Sequence, residues 1–129
     1  MTYLKAASPY FLSLLRLVTG LVFLQHGTSK FLGFPPSQFT DTPLMSMAGA
    51  AGAIELVGGA LILVGLFTRP AAFIASGMMA VAYFMVHAPK SFFPLVNGGD
   101  QAILFCFVFL YLVFAGAGPI SIDRLRGAS

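Results

Sequence analysis

Charge is scarce in this chain. Only 9% of its 129 residues are charged and only four are acidic, against about 25% charged in a soluble globular domain. Cysteine is scarcer still. Cys106 stands alone in an apolar run with no CxxC pattern, which excludes an internal disulfide or a dithiol redox centre and leaves a small buried hydrophobe. Several functional signatures are missing altogether. There is no phosphate-cradling loop, since "GAIELVGG" lacks the Lys and Ser/Thr of a P-loop. No Ser or Cys stands beside a base in a nucleophile pattern, and no His/Cys set has zinc spacing. Period-two alternation is absent, which argues against a membrane barrel. The pI is near 9.4, yet no basic patch with interleaved aromatics accompanies it, so nucleic acid is excluded as a partner.

What remains is greasy. Hydrophobic residues make up 58% of the chain and the mean hydropathy is +0.91, the composition of a protein whose solvent is the bilayer. Four apolar segments are long enough to cross about 30 Å of hydrocarbon. The sequence predicts one all-α domain over 1–129, a four-transmembrane-helix bundle with helices at about 9–31, 44–67, 70–88 and 101–117. The first run is read as a retained span and not a secretory signal, because Arg16 interrupts it and no small-residue cleavage site follows. "GFPPSQFTDTP" is a loop, "FTRP" a turn so short that its flanking helices form an antiparallel hairpin, and "NGGD" a turn with Asp100 as N-cap of the last helix. Four spans put the N-terminus, the 67–70 turn and the tail on one side, with Lys5, Arg69, Arg124 and Arg126. The other side has Lys30 and Lys90, so both termini are expected in the cytoplasm.

Polar groups inside such spans are expensive and face the bundle. Arg16, Thr19, Gly20, Phe23, His26, Gly27 and Lys30 recur at spacings of three and four, one stripe of the first helix. Gly49, Gly52, Glu55 and Gly59 form a matching small-residue seam around one acid. Counting inward from the 33–43 loop sets Glu55 level with Leu21, roughly 7–8 Å along the axis from both Arg16 and His26. Arginine spans that gap more readily than imidazole, so Arg16–Glu55 is the expected buried pair. It would either fix helix register or flank a Glu55 that exchanges protons beside a ligand. At the far ends, His26, Lys30, His87, Lys90, Asp100 and Gln101 converge near Phe92 and Phe93. Axial haem ligation by His26 and His87 is one reading. A quinone suits the set better, being flat and apolar with carbonyls that take hydrogen bonds.

The runs "LLRLVTGLVFLQHGTSKFLGF", "GAIELVGGALILVGLFTRPAA", "VHAPKSFFPLVNGGDQAILF" and "GAGPISIDR" resemble the DoxX family of small four-helix membrane proteins, over about residues 11–125. The resemblance rests on R-x9-HG-x2-K from Arg16 to Lys30, E-x2-GG at Glu55 with G-x-x-TR ending at Arg69, the late His87, and G-x-G-x-x-S-x-D ending at Asp123. It implies a multi-pass protein of a prokaryotic plasma (inner) membrane, similar to subunits of quinol oxidases and thiosulfate:quinone oxidoreductases. On that basis Glu55 and His26 are the expected catalytic residues. Arg16, His26, Lys30, His87 and Asp100 are the expected quinone-binding residues, with no metal. The chain has no electron carrier of its own, so a partner membrane or redox protein is implied, and a homo-oligomer is compatible. The alternatives are a non-catalytic scaffold or assembly factor and a small-molecule transporter.

Overall fold

The computed structural model describes residues 1–128, and these are helical with no strand. The first helix, α1 (Thr2–Leu32), packs along α2 (Met47–Val64). Next, α3 (Thr68–Ala82) runs on through a π turn (Tyr83–His87) and a 3-10 turn (Ala88–Lys90). A single turn, α4 (Pro94–Asn97), leads to α5 (Asp100–Ala115), which packs on α3, and another, α6 (Ile122–Leu125), closes the chain. Three helices, Thr2–Leu32, Met47–Val64 and Thr68–Lys90, are long and apolar enough to cross a membrane. The 16 residues of α5 are as apolar but shorter, about 24 Å at 1.5 Å per residue.

The bundle is two helix pairs joined by an aromatic core. Phe23 of α1 meets Phe109 and Phe105 of α5 edge-on, at centroid distances of 4.7 and 5.5 Å, and the last two rings stack. Ile62 and Leu112 close the core without exposure. Ala71, Ala72, Ala75 and Ser76 bury one face of α3, where small side chains let α5 approach. Cys106 lies at this seam, its carbonyl accepting a 2.8 Å hydrogen bond from Ser76, as a packing residue would. Large apolar side chains such as Phe11, Leu21, Phe73, Phe107 and Phe114 point outward. In water that surface would be a liability; in lipid it is what a span requires.

The buried stripe of α1 includes Arg16, Gly20, Phe23, Gly27 and Lys30, and that of α2 includes Gly49, Gly52, Glu55 and Gly59, as the spacings predict. The glycines set the distance between the helices. A Cβ on Gly27 would stand 2.6 Å from the Leu56 nitrogen, and one on Gly20 2.7 Å from the Leu63 nitrogen, so nothing larger fits without parting them.

Three boundaries differ from expectation. Helix α1 starts at Thr2 and runs through Pro9; the proline forfeits its N–H donation and crowds the carbonyl of the preceding turn, and the turns on either side carry the helix across. Helix α2 starts at Met47, because Ser46 caps it by accepting from the Gly49 N–H. Asp100 is not an N-cap: Gly99 holds that position, and Asp100 is the first residue of α5.

Candidate functional site

The polar stripe of α1 is divided between the two ends of the bundle. The loop end carries residues 33–46 and 88–99, and the tail end carries 65–68 and 116–126.

At the tail end, Arg16 is 1% exposed and touches no carboxylate among the described residues. Its Nε donates to the Ala117 carbonyl at 2.8 Å, Nη1 to the Ile62 and Leu63 carbonyls at 2.8 and 2.7 Å, and Nη2 to Ile120. Ile62 and Leu63 lie in the last turn of α2, where carbonyls lack the usual partner four residues on and carry the negative end of the helix dipole, Ile62 accepting in addition from the Gly65 N–H at 3.2 Å. A guanidinium suits them because its donors fan out in a fixed plane. The chain leaves α2 at Gly65 with φ 72°. A side chain there would be strained and its Cβ would lie 2.5 Å from Ser121 Cβ and 2.9 Å from Arg16 Nη1. Arg69 repeats the device, donating to the Val113 and Phe114 carbonyls near the end of α5 at 2.8 and 2.7 Å.

Asp123 does the converse. Its carboxylate accepts from the Phe67 and Thr68 N–H groups, each at 2.9 Å, and so caps the start of α3 from the far end of the sequence. Burial by itself would raise its pKa. The bonds from Thr68, Phe67 and Arg126 outweigh burial and hold the pKa below the usual carboxylate value.

The Arg16–Glu55 pair is therefore corrected. Glu55 pairs with Lys30, Nζ to Oε1 at 2.6 Å, with both side chains buried. The cause is register: Gly20 faces Leu63, Leu24 faces Gly59 and Gly27 faces Leu56. Glu55 thus lies opposite residues 27–28, less than one turn from Lys30 and about three from Arg16. The 33–46 loop folds back on α1, with Thr42 N–H donating to the Lys30 carbonyl at 3.3 Å and Ser29 bonded to Ser37 at 2.6 Å, and α2 begins about a turn beyond the end of α1. Gly52 makes the room, since its missing Cβ would sit 3.0 Å from Lys30 Cδ. The ammonium also lies 5.7 Å from the Phe39 ring centroid.

This pair opens on a cavity of about 640 Å³ between the two helix pairs, lined by Phe23, His26 and Lys30 of α1, by Ile54 and Glu55 of α2, by His87 at the end of the π turn, and by Gln101 and Phe105 of α5. So His26 and His87, expected near one face, share a wall. The π turn accounts for His87: with one more residue per turn, Met85, Val86 and His87 all reach the cavity in succession. His87 Nδ1 donates to the Asn97 carbonyl at 3.0 Å, while the Asn97 amide donates to the Tyr83 hydroxyl and the Ser91 carbonyl. His26 Nδ1 donates to the Val22 carbonyl at 3.0 Å. A carbonyl only accepts, so each Nδ1 carries a proton, and in the neutral form of either ring Nε2 is the acceptor. Neither Nε2 has a hydrogen-bond partner among the described residues.

Two expected members stand apart. Arg16 borders a separate groove of about 480 Å³ at the tail end. Asp100 is exposed and does not line the cavity, whereas its neighbour Gln101 does. Lys90 is exposed as well. Sequence reading missed Met47, Met78, Met79 and Met85 in the wall, because isolated methionines in apolar runs carry no local signal.

The DoxX family model matches residues 11–88. The chain belongs to the DoxX family. A Haemophilus influenzae relative, "Uncharacterized protein", is 47% identical over 129 residues, covering 96% of each chain. "Putative oxidoreductase CatD" of Bacillus subtilis is 32% identical over 113 residues, 85% of this chain and 82% of that one. "Uncharacterized membrane protein Rv3486" of Mycobacterium tuberculosis is 28% identical over 138 residues, 94% of this chain and 84% of that one. No solved structure matches. The polar residues on which the resemblance rests fall into two groups: Arg16, Arg69 and Asp123 hold helix ends, while His26, Lys30, Glu55 and His87 surround the cavity.

Proposed function

We propose that this DoxX protein is a subunit or accessory of a quinone-linked oxidoreductase of the bacterial plasma membrane, and that the cavity at its loop end holds the quinone headgroup. The observation that carries the reading is the wall itself. It is largely apolar with aromatic Phe23 and Phe105 at one side, and its polar side chains are His26, Lys30, Glu55, His87 and Gln101. That composition fits a flat apolar ring with an oxygen at each end. The oxidoreductase name of the Bacillus subtilis relative supports the same direction.

In this reading α5 is the fourth span, short but apolar, and the chain forms one four-helix domain with both termini cytoplasmic, as the positive charges of Lys5, Arg69, Arg124 and Arg126 favour. A bound quinone supplies the two-electron chemistry. The residues handle protons. His26, with Nδ1 held by Val22, takes a proton from a ligand hydroxyl at Nε2 when neutral, and returns it only as imidazolium. Glu55 keeps Oε2 outside its bond to Lys30 and is the second acceptor. Electrons leave through a partner protein, and a homo-oligomer is compatible with the exposed apolar faces.

The scaffold reading draws support from Arg16, Arg69 and Asp123, which hold helix ends through main-chain bonds, Asp123 pairing also with Arg126. Extraction of the detergent-purified protein with organic solvent, followed by mass detection, separates the two. The quinone reading expects near-stoichiometric quinone that is lost in a folded His26→Ala protein. Absence of quinone from both proteins, with the variant only less stable, supports the scaffold.

A further inference from the structure

Four of the six methionines of the chain and both of its histidines line the same cavity: Met47, Met78, Met79, Met85, His26 and His87. We propose that this cavity binds a soft monovalent cation, Cu(I), through methionine thioethers and the Nε2 atoms of the two histidines.

Each histidine is tethered through Nδ1, which leaves Nε2 as its free donor atom. A metal-bound imidazole usually donates its other N–H to a carbonyl or carboxylate, which fixes the tautomer and aims the free nitrogen. His26 does so to the Val22 carbonyl and His87 to the Asn97 carbonyl, both at 3.0 Å. The Asn97 side chain is held in turn by Tyr83, Ser91 and the Gly99 N–H, so the support behind His87 is a closed network.

The cation's identity follows from what else faces it. Thioether sulfur is a soft neutral donor that prefers Cu(I), and imidazole binds it as well. A hard divalent ion needs carboxylate oxygens, but the one carboxylate in the wall, Glu55, is already matched by Lys30 at 2.6 Å. The remaining wall offers no compensating negative charge. A single positive charge is therefore far cheaper to hold there than a double one. The ligands come from α1, α2 and α3 with its π turn, so the ion would tie the two helix pairs together where a cavity divides them. The inference is independent of the quinone reading, although both use the Nε2 atoms and a metal and a quinol would compete for them.

The test titrates full-length protein in detergent, under anaerobic reductant, against the coloured Cu(I)–bicinchoninate complex. One equivalent of Cu(I) should be withdrawn, with Ag⁺ competing and Zn²⁺ not. His87→Ala should weaken retention at least roughly tenfold, the loss that even supporting groups of a metal site produce. The triple variant Met47→Leu, Met78→Leu, Met85→Leu should do likewise. Leucine conserves volume, so this variant should keep its fold, verified by helicity and a monodisperse profile. Met45→Leu is the control, since Met45 is 97% exposed and outside the wall; it should retain Cu(I) as the parent does. Failure of the folded parent to withdraw Cu(I), equal retention of Zn²⁺, or undiminished retention by the triple methionine variant each overturns the proposal. Quinone measured in the same samples keeps the readings apart: Cu(I) retained without quinone counts against the quinone reading alone, and quinone without Cu(I) against this one alone.

Discussion

Glu55→Gln is the sharpest perturbation of the account. It leaves the Lys30 ammonium buried with its 2.6 Å partner replaced by a neutral amide. Removing one member of a buried pair costs about 3–5 kcal/mol, because the other charge stays desolvated, whereas replacing both with neutral groups is often close to neutral. The expected pattern is therefore a single variant destabilised by about 3–5 kcal/mol and a double variant, Lys30→Met with Glu55→Gln, that recovers at least half of the loss. With each single costing about 3–5 kcal/mol and the double at most half of one single, the coupling energy is at least about 4 kcal/mol, above the usual range for residues in contact. Unfolding titrated with sodium dodecyl sulfate in mixed micelles, run on the parent, both singles and the double, gives the cycle. The register argued from the glycine contacts is refuted if the two singles are additive within about 0.5 kcal/mol. It is equally refuted if Arg16→Met, and not Lys30→Met, couples to Glu55→Gln.

Further expectations follow from the same contacts. Arg16→Lys should fail to rescue Arg16→Met, because an ammonium cannot reach four carbonyls that one guanidinium plane satisfies; membrane abundance of the two variants checks this. Gly27→Ala should destabilise by about 1–3 kcal/mol through overpacking against Leu56. Gly77→Ala, with nothing within 4 Å of the new Cβ, should stabilise by about 0.5–1 kcal/mol in the same micelle titration. Asp123 has its pKa lowered in the folded protein, so its stabilisation is fully present above the unfolded carboxylate value of about 3.9 and drains away as pH falls through the lower folded value. As pH falls below about 4 the parent should begin to lose this increment while Asp123→Asn, weaker at pH 7, changes less; comparing their unfolding from pH 7 downward decides it.

Most of the helical framework was legible because a membrane span has so few ways to place polar groups. The buried faces of α1 and α2 were readable from three- and four-residue spacings alone. Their mutual register was not. It depends on how the 33–46 loop folds over the end of α1, through bonds such as Ser29–Ser37 and Thr42–Lys30, and a shift of two turns moved the Glu55 partner from Arg16 to Lys30. Arg16 itself was misjudged for a simpler reason. Its partners are main-chain carbonyls, which every residue possesses and no motif announces. Asp123 capping Thr68 across the chain is hidden in the same way. The π turn that swings His87 into the cavity left no mark in the hydrophobic pattern, which continues unbroken through "YFMVH".

The claim that the loop-end cavity is the ligand site is tested most directly by photolabelling native membranes with an azidoquinone and mapping the modified peptides. The account predicts label on residues 47–55 and 78–87, suppressed by excess quinone and lost in His26→Ala protein that still folds. Label confined to the groove beside Arg16 and residues 119–125, or label indifferent to His26, would contradict it.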